Sequence, residues 1–278
     1  MTPYRAPGWL PGGQAQTLWP LLIKAPPLPL RRERWDTPDG DFIDVDHLDA
    51  PAGAPLLVLF HGLEGSARSH YAISTAHACK RQGWRLAIPH FRGCSGELNR
   101  RPRAYHSGDS DEIDWILRRL QQANVGQRLH AAGISLGGNA LLKWAGERAE
   151  AAADVVTGVV GICAPLDLAA CGHHLARGFN RLYTRHFLDT LKVRSAARLR
   201  HFPGLFDETR MRRARNLWEF DDAVTGPVHG FAGADDYWAR SSAKPWLRSI
   251  AVPALVVNPK NDPFLPASAL PGAGEAAP

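Results

Sequence analysis

The stretch Leu129-His130-Ala131-Ala132-Gly133-Ile134-Ser135-Leu136-Gly137-Gly138-Asn139 decides how the rest of this chain is interpreted. Residues 129–133 are a short apolar run typical of a buried strand, and residues 137–151 are typical of a helix. The Gly-x-Ser-x-Gly pattern between them predicts a sharp turn that lifts the Ser135 hydroxyl above a sheet, where it can act as a nucleophile. The motif alone also permits a glycine-rich turn that binds nothing.

On both sides of this stretch, apolar runs of strand length alternate with segments of helix length. The alternation predicts a mostly parallel, doubly wound sheet of the α/β class. The turn Thr37-Pro38-Asp39-Gly40 predicts a hairpin in front of the sheet, with Ile43 and Val45 on one face of its second strand. The other predicted strands are 56–60, 85–89, 155–163 and 254–258, and the other predicted core helices are 69–81 and 109–123.

The 278 residues suit one α/β domain with an insertion. Residues 1–30, rich in Pro and Gly, predict an ordered but irregular N-terminal arm, and residues 31–165 supply the first part of the core. Residues 166–244 lack the alternation of apolar strand-length runs with helix-length segments, and they predict a helical lid over the edge of the sheet. Residues 245–278 return to the strand pattern and predict the last part of the core.

The composition excludes several classes of protein. Hydrophobic residues make up 45% of the chain and charged residues 22%, which is typical of a packed globular domain and excludes disordered and collagen-like chains. The four cysteines are too scattered for a disulfide framework, so we expect a reducing compartment. No apolar run reaches the length of a membrane span and no signal pattern occurs, so we expect a cytoplasmic protein with no integral membrane segment.

The net charge of +6 raises the question of an anionic partner. The one dense basic stretch, residues 194–215, has no helix-turn-helix, zinc-finger or RNP pattern around it, so we expect no nucleic-acid partner. A solvated helix face explains the stretch, and contact with an anionic membrane surface is a weaker alternative. No metal-ligand spacing is present, and no metal or cofactor is expected.

A serine nucleophile needs N–H donors for the oxyanion and a carboxylate that orients a histidine. The donors predicted from the architecture are the N–H groups of Leu136, directly after the serine, and of Leu63, in the loop after strand 56–60. Asp262 follows the last predicted strand and is the candidate carboxylate. A plain glycine turn at Leu63 and a solvated turn aspartate at Asp262 are the alternatives.

Several segments in a consistent order give the chain a resemblance to the YheT-like branch of the α/β-hydrolases, AB-hydrolase family 4. The resemblance runs from the arm at Gln16 to about Pro266, and it implies an α/β-hydrolase fold with a helical lid. It also implies a serine esterase that forms an acyl-enzyme on short-chain esters or monoacylglycerol-like lipids, without a cofactor. The segments that carry it are His61-Gly62-Leu63-Glu64-Gly65, Phe91-Arg92-Gly93-Cys94-Ser95-Gly96-Glu97, Tyr105-His106-Ser107-Gly108, Gly133-Ile134-Ser135-Leu136-Gly137-Gly138-Asn139 and Asp262-Pro263-Phe264.

The chain departs from the family pattern at the triad histidine. The family carries it in a Gly-Gly-His segment some tens of residues after the aspartate, whereas the last histidine here is His229. We therefore expect a truncated or frameshifted C-terminus, an exposed sheet edge and no general base for Ser135. The alternative function is an inactive hydrolase scaffold that binds acyl ligands or a partner. The histidines that could replace the missing one are His61, His90, His106, His173, His174 and His229.

Two other groups of side chains suggest a chemical role and have simpler explanations. Cys94 lacks a paired base, so we expect a small packing residue in its loop. The aromatic residues of the predicted lid could line an acyl pocket, although ordinary lid packing is expected for most of them. They are Phe179, Tyr183, Phe187, Phe206, Trp218, Phe220, Phe231 and Trp238.

Overall fold

The computed structural model describes residues 6–23, 25–272 and 274–275. Within them a single mixed sheet has the strand order β1-β2-β4-β3-β5-β6-β7. Strands β3 to β7 are parallel, and the hairpin β1–β2 joins them antiparallel through β4. The strands are β1 (Arg31–Asp36), β2 (Phe42–Leu48), β3 (Leu56–Phe60), β4 (Arg85–Pro89), β5 (Leu129–Ile134), β6 (Gly158–Ile162) and β7 (Ala254–Val257).

The helices fall into three groups along the chain. Among the described residues, one lies in the N-terminal arm, three connect strands of the sheet, and six follow one another between β6 and β7. They are α1 (Gly12–Leu22); α2 (His70–Gln82), α3 (Ser110–Gln122) and α4 (Leu136–Arg148); and α5 (Leu168–Leu175), α6 (Arg181–His201), α7 (Glu208–Arg213), α8 (Leu217–Phe220), α9 (Gly226–His229) and α10 (Ala234–Ser241).

The predicted strands and core helices are present, with small shifts of their ends. Helix α3 begins at Ser110 because the Asp109 side chain accepts a hydrogen bond from the Glu112 N–H and caps it. The strand predicted at 155–163 covers only Gly158–Ile162. Helix α4 ends at Arg148, and a 3₁₀ turn over Ala149–Asp154 takes up the last residues of the helix predicted at 137–151.

The prediction of an irregular arm is wrong for residues 12–22, which form α1. Contacts distant in sequence hold the helix: Gln14 donates a hydrogen bond to Asn180, and Tyr183 donates one to Gln14. Such tertiary support is not visible in the local sequence, where Pro and Gly suggest an open chain. Residues 1–5 and 24 of the arm lie outside the described residues.

In strand β2 of the hairpin, buried side chains occur on both faces, including the face that the alternating sequence pattern assigns to solvent. Ile43 and Val45 are buried as predicted, and so is Asp44. The Asp44 carboxylate accepts two hydrogen bonds from Arg34 on β1, at 2.7 and 2.8 Å. A cross-strand ion pair therefore compensates the burial of a charge that the sequence pattern assigned to solvent.

Strand β7 lies at one edge of the sheet within the described residues. Strand β7 pairs with β6, and no strand within the described residues pairs with its other side. Leu255 is 56% exposed and Val257 43% exposed.

Asn139, at the start of α4, connects three segments of the fold. Its amide donates to the carbonyls of Ser107 and Ser241, both at 2.8 Å, and accepts from the Ala243 N–H at 2.9 Å. The side chain is fully buried. One amide thus fixes the loop before α3, the end of α10 and the chain that leaves α10.

Asn139→Leu is expected to lower the free energy of unfolding by about 3 kcal/mol or more, because three buried backbone groups lose their partner. Urea unfolding followed by circular dichroism measures the change. The exposed Asn261→Leu variant is the control and should cost less than about 0.5 kcal/mol. A loss below 1 kcal/mol for Asn139→Leu would contradict the assignment of Asn139 as a structural connector.

Candidate functional site

Ser135 occupies a strained turn between β5 and α4. Its φ of +53° and ψ of −120° lie in a region that non-glycine residues rarely adopt, at a cost of about 1–3 kcal/mol. The Ser135 N–H donates to the Ile162 carbonyl on the neighbouring strand β6, at 2.8 Å. Gly137 allows the turn to lie against β3, because a Cβ there would come within 2.5 Å of the Phe60 and His61 carbonyl oxygens.

A cavity opens above Ser135, between the C-terminal end of the sheet and the helices that follow β6. Its volume is about 150 Å³, and most of its surface is apolar. The helices α5, α6, α8 and α10 all contribute side chains to it. These are chiefly Leu168, Cys171, Leu175, Phe187, Leu191, Leu217, Phe220, Tyr237 and Trp238, joined by Val224 and Val228 from the segment between α8 and α10 and by Phe264 and Leu265 from the turn after β7.

Three of the eight aromatic residues predicted as pocket candidates line this cavity: Phe187, Phe220 and Trp238. The other five do not line it. Phe206 and Trp218 pack among the helices, and Phe179 is exposed. Tyr237 and Phe264 line the cavity and were missed, because nothing in their local sequence distinguishes them from packing residues.

Leu63 and Leu136, the candidate oxyanion donors, both line the cavity beside Ser135. Neither of their N–H groups donates to another protein group within the described residues. Leu136 is the first residue of α4, where such N–H groups have no partner within the helix. A developing negative charge on an ester oxygen would meet these donors and the positive end of the helix dipole.

The loop that holds Leu63 is fixed by side chains that sequence reasoning missed. The Tyr71 hydroxyl accepts from the Gly62 N–H at 2.9 Å. The Tyr105 hydroxyl accepts from the Glu64 N–H at 3.0 Å and donates to the Glu64 carboxylate at 2.8 Å. Glu64 itself has a φ of +57°. These contacts hold the loop in a conformation that a plain glycine turn would not maintain.

Arg194, on α6, forms an ion pair with the Glu64 carboxylate at 2.9 Å. It also donates to the Gly93 carbonyl at 2.7 Å and lies 2.9 Å from the Cys94 sulfur. Burial raises the pKa of Glu64, and Arg194 opposes that rise. Cys94 is buried, as expected of a packing residue, and burial raises the pKa of its thiol to about 12, so it is protonated at neutral pH.

His61 lies directly before the oxyanion loop but cannot serve as a base. Its Nδ1 contacts the Gly62 carbonyl at 2.8 Å, and its Nε2 accepts from the Phe91 N–H at 3.1 Å. Both ring nitrogens are therefore engaged with the backbone. Complete burial lowers the pKa of His61 to about 3, so the ring is neutral.

His106 lines the same cavity as Ser135. Its Nδ1 accepts from the Gly108 N–H at 3.2 Å, which places the ring proton on Nε2, 3.9 Å from the Asp109 carboxylate. In that tautomer Nε2 is a donor and cannot accept a proton from a serine. His229 packs against His106, with ring centroids 4.5 Å apart and the ring planes tilted by 60°, and burial lowers the pKa of His229 to about 3.

The remaining candidate histidines have structural contacts. His90 is bound to Asp46 at 2.8 Å. His173 packs against Trp238, with ring centroids 5.4 Å apart, and His174 sits in the last turn of α5. No histidine within the described residues forms a hydrogen bond with Ser135. The structure thus places none of the sequence candidates as a partner of the serine.

Asp262 lies in the turn after β7, near the C-terminal end of β6. Its carboxylate accepts from the Phe264 N–H at 2.9 Å and from the Cys163 thiol. Burial raises the pKa of Asp262, and burial together with this carboxylate raises the pKa of Cys163 to about 12. Cys163 has a φ of +51° and lines the cavity, so a neutral thiol lies between Asp262 and the cavity.

Within the described residues, no three His, Cys, Asp or Glu side chains come together as metal ligands. The search for a membrane span over the same residues finds no helix long and apolar enough.

Comparisons with known proteins agree with this fold. The family model for the alpha/beta hydrolase fold matches residues 55–278. A protein of Escherichia coli (strain K12) named "Putative esterase YheT" is 42% identical over 86% of this chain and 71% of its own length. Human "Phospholipase ABHD3" is 28% identical over 95% of this chain and 66% of its own length.

A solved structure, the esterase Pf2001 of Pyrococcus furiosus, has a TM-score of 0.55 at 13% identity, over 87% of this chain and 74% of the other. At that identity the likeness shows the fold alone. The chain spans about two thirds of the length of the curated relatives it matches. The predicted α/β-hydrolase fold and the YheT-like resemblance are confirmed.

Proposed function

Because the chain belongs to the alpha/beta hydrolase fold family, we propose that its cavity binds carboxylic esters and that Ser135 attacks their carbonyl carbon. One observation carries the proposal. Ser135 sits in a strained elbow at the base of a largely apolar cavity, with the free N–H groups of Leu63 and Leu136 beside it. An apolar cavity with a few convergent polar groups is typical of a small-molecule site.

The reaction has two steps. The Ser135 oxygen adds to the ester carbonyl, the N–H groups of Leu63 and Leu136 stabilise the oxyanion, and the alcohol leaves to give an acyl-enzyme. Water then adds to the acyl-enzyme and releases the acid. Each step needs a group that takes and returns a proton, and in a complete triad an imidazole oriented by the carboxylate supplies it. No described histidine contacts Ser135 or Asp262, so water takes and returns the proton in this mechanism and the expected rate is low.

The proposed substrates are short-chain esters or monoacylglycerol-like lipids. The apolar lining suits an acyl chain, and one relative is named a phospholipase. Residues 166–244, which contain α5 to α10, form the proposed lid, since five of those helices (α5, α6, α8, α9 and α10) line the cavity.

Hydrolysis of 4-nitrophenyl butyrate by the purified chain tests the role of Ser135. We expect a low rate that Ser135→Ala reduces to the buffer background, because the acyl-enzyme route needs the hydroxyl. The exposed Ser268→Ala variant is the control and should leave the rate unchanged. A rate that survives in Ser135→Ala would show that the reaction occurs elsewhere on the protein.

A second candidate is a scaffold that binds acyl ligands without turnover. It is favoured by the absence of any imidazole contact at Ser135 or Asp262 within the described residues. The two candidates differ in one observable. A scaffold binds an octanoyl ester in calorimetry yet releases no alcohol, whereas a hydrolase releases alcohol in a reaction that depends on Ser135.

A further inference from the structure

Arg198 is a buried cation that the proposed mechanism does not use. It lies on α6, one turn after Arg194, and is only 8% exposed. Its side chain lines the cavity that holds Ser135. A Cβ atom added to Gly93 would lie 3.3 Å from the Arg198 Nη2. The guanidinium therefore lies against the Gly93–Cys94 loop.

Within the described residues this guanidinium has no direct ion-pair or hydrogen-bond partner, and the Glu64 carboxylate, which is paired with Arg194, acts on it only at longer range. None of the carboxylates in the described residues lies within 4.0 Å of it, and none of their side-chain hydrogen bonds involves it. Burial accordingly lowers the pKa of Arg198. A buried guanidinium without a partner is costly, and buried charges in proteins are normally paired.

The other charges of the cavity are already satisfied. Arg194 is paired with Glu64. Arg92 is bound by three carboxylates, those of Asp39, Asp41 and Glu112. Asp221 accepts from the Thr225 hydroxyl and the Trp238 indole N–H. Arg198 is therefore the one cation among the charged lining residues named here that remains available to a ligand.

We propose that the cavity takes an ester that carries an anionic group, a carboxylate or a phosphate, and that Arg198 binds this group while the acyl chain occupies the apolar part. The inference rests on the proposed function, because it assumes an ester in the cavity. A guanidinium presents a planar fork of donors that matches carboxylate and phosphate oxygens. The ligand anion also supplies the partner that the fold does not.

Calorimetric titration of the Ser135→Ala chain tests the inference without turnover. The neutral probe is 1-octanoylglycerol, and the anionic probes are 1-octanoylglycerol-3-phosphate and the 3-octanoyl ester of glyceric acid. We expect at least one anionic probe to bind about tenfold or more tightly than the neutral one, since a charged hydrogen-bond pair commonly contributes that much. The two anionic probes distinguish phosphate from carboxylate, and inorganic phosphate alone shows whether the acyl chain is required.

Arg198→Gln, made in the same background, should abolish the preference and leave the affinity for 1-octanoylglycerol unchanged. Arg200→Gln is the matched control, because Arg200 is exposed on the same helix and the change in net charge is the same. It should keep the preference. The comparison of probes on the Ser135→Ala chain does not depend on whether Arg198→Gln folds.

The outcomes separate the two proposals. If the neutral ester binds and no anionic ester binds more tightly, the inference about Arg198 is wrong and the proposed function stands. If the preference exists but survives in folded Arg198→Gln, another group binds the anion and the inference is also wrong. If no ester binds, the proposed function fails and the inference fails with it.

Discussion

Continuing the chain past Pro278 with a family segment that carries Gly-Gly-His is expected to raise kcat for 4-nitrophenyl butyrate by roughly 10⁴-fold or more. The physical reason is the state of Ser135. No histidine within the described residues forms a hydrogen bond with it, and His61 and His106 have ring nitrogens committed to other groups. Without a base the serine remains a weak nucleophile, and the oxyanion donors alone supply only a residual rate.

The control is the same extended chain with that histidine replaced by alanine. It should fold like the extended chain and have the low rate of the original one. Ser135→Ala in the extended chain should abolish the gain, because serine and histidine act as one unit. If the extended chain folds and its rate does not rise, Ser135 is not a triad nucleophile. The binding scaffold is then the better supported of the two candidate functions.

Arg92→Met is expected to lower the free energy of unfolding by about 3–5 kcal/mol at neutral pH. Arg92 donates to Glu112 at 2.5 Å, to Asp41 at 2.9 Å and to Asp39 at 2.8 Å. Arg92, Asp41 and Glu112 are all buried. Removal of the guanidinium leaves two buried carboxylates without their cation, so the loss exceeds the value of an ordinary ion pair. Chemical unfolding monitored by fluorescence measures it.

The matched control is Arg100→Met. Arg100 pairs with Asp36 at 2.7 Å, but both side chains are exposed. That pair also joins the β1–β2 region to the segment after β4, yet its loss should cost less than about 1 kcal/mol. Equal losses in the two variants would show that burial of the Arg92 network does not determine its contribution.

The loss in Arg92→Met should shrink as the pH falls from 7 towards 5. Burial and the neighbouring Asp109 raise the pKa of Glu112, while Arg92 opposes the rise. Without Arg92 the pKa of Glu112 rises further, and the folded state binds a proton that the unfolded state does not yet bind. The contribution of protonated Glu112 to stability is fully present below the pKa of Glu112 in the unfolded chain. It is lost as the pH rises through the pKa of Glu112 in the folded chain.

The sheet could be predicted from sequence because its signals are local. The apolar runs at Leu56–Phe60 and Arg85–Pro89 are long enough for a strand and are bounded by turn residues, and both strands have the predicted ends. Helix α3 was equally readable, from its Asp109 cap and its apolar face. The helix α1 in the N-terminal arm could not be predicted, because it depends on contacts with Asn180 and Tyr183, which lie far along the chain.

Within the candidate site, sequence order proposes Ser135, Leu63, Leu136 and Asp262 because each follows a strand end. It could not find the residues that hold them. Tyr105 lies 41 residues after Glu64 along the chain, and Arg194 reaches the Gly93 carbonyl from 101 residues away. The sequence favours a solvated helix face for the basic stretch 194–215. In the structure Arg200 is exposed, whereas Arg194 and Arg198 line the cavity.

The sequence by itself determined the order of strands and helices and the elbow at Ser135, since each is a property of neighbouring residues. Only the tertiary structure decided which histidines are engaged elsewhere, which aromatic residues line the cavity and that Arg198 is buried beside it without a direct ion-pair partner among the described residues. Those properties depend on burial and on distances between segments far apart in the chain, and the periodicity of the sequence predicts neither.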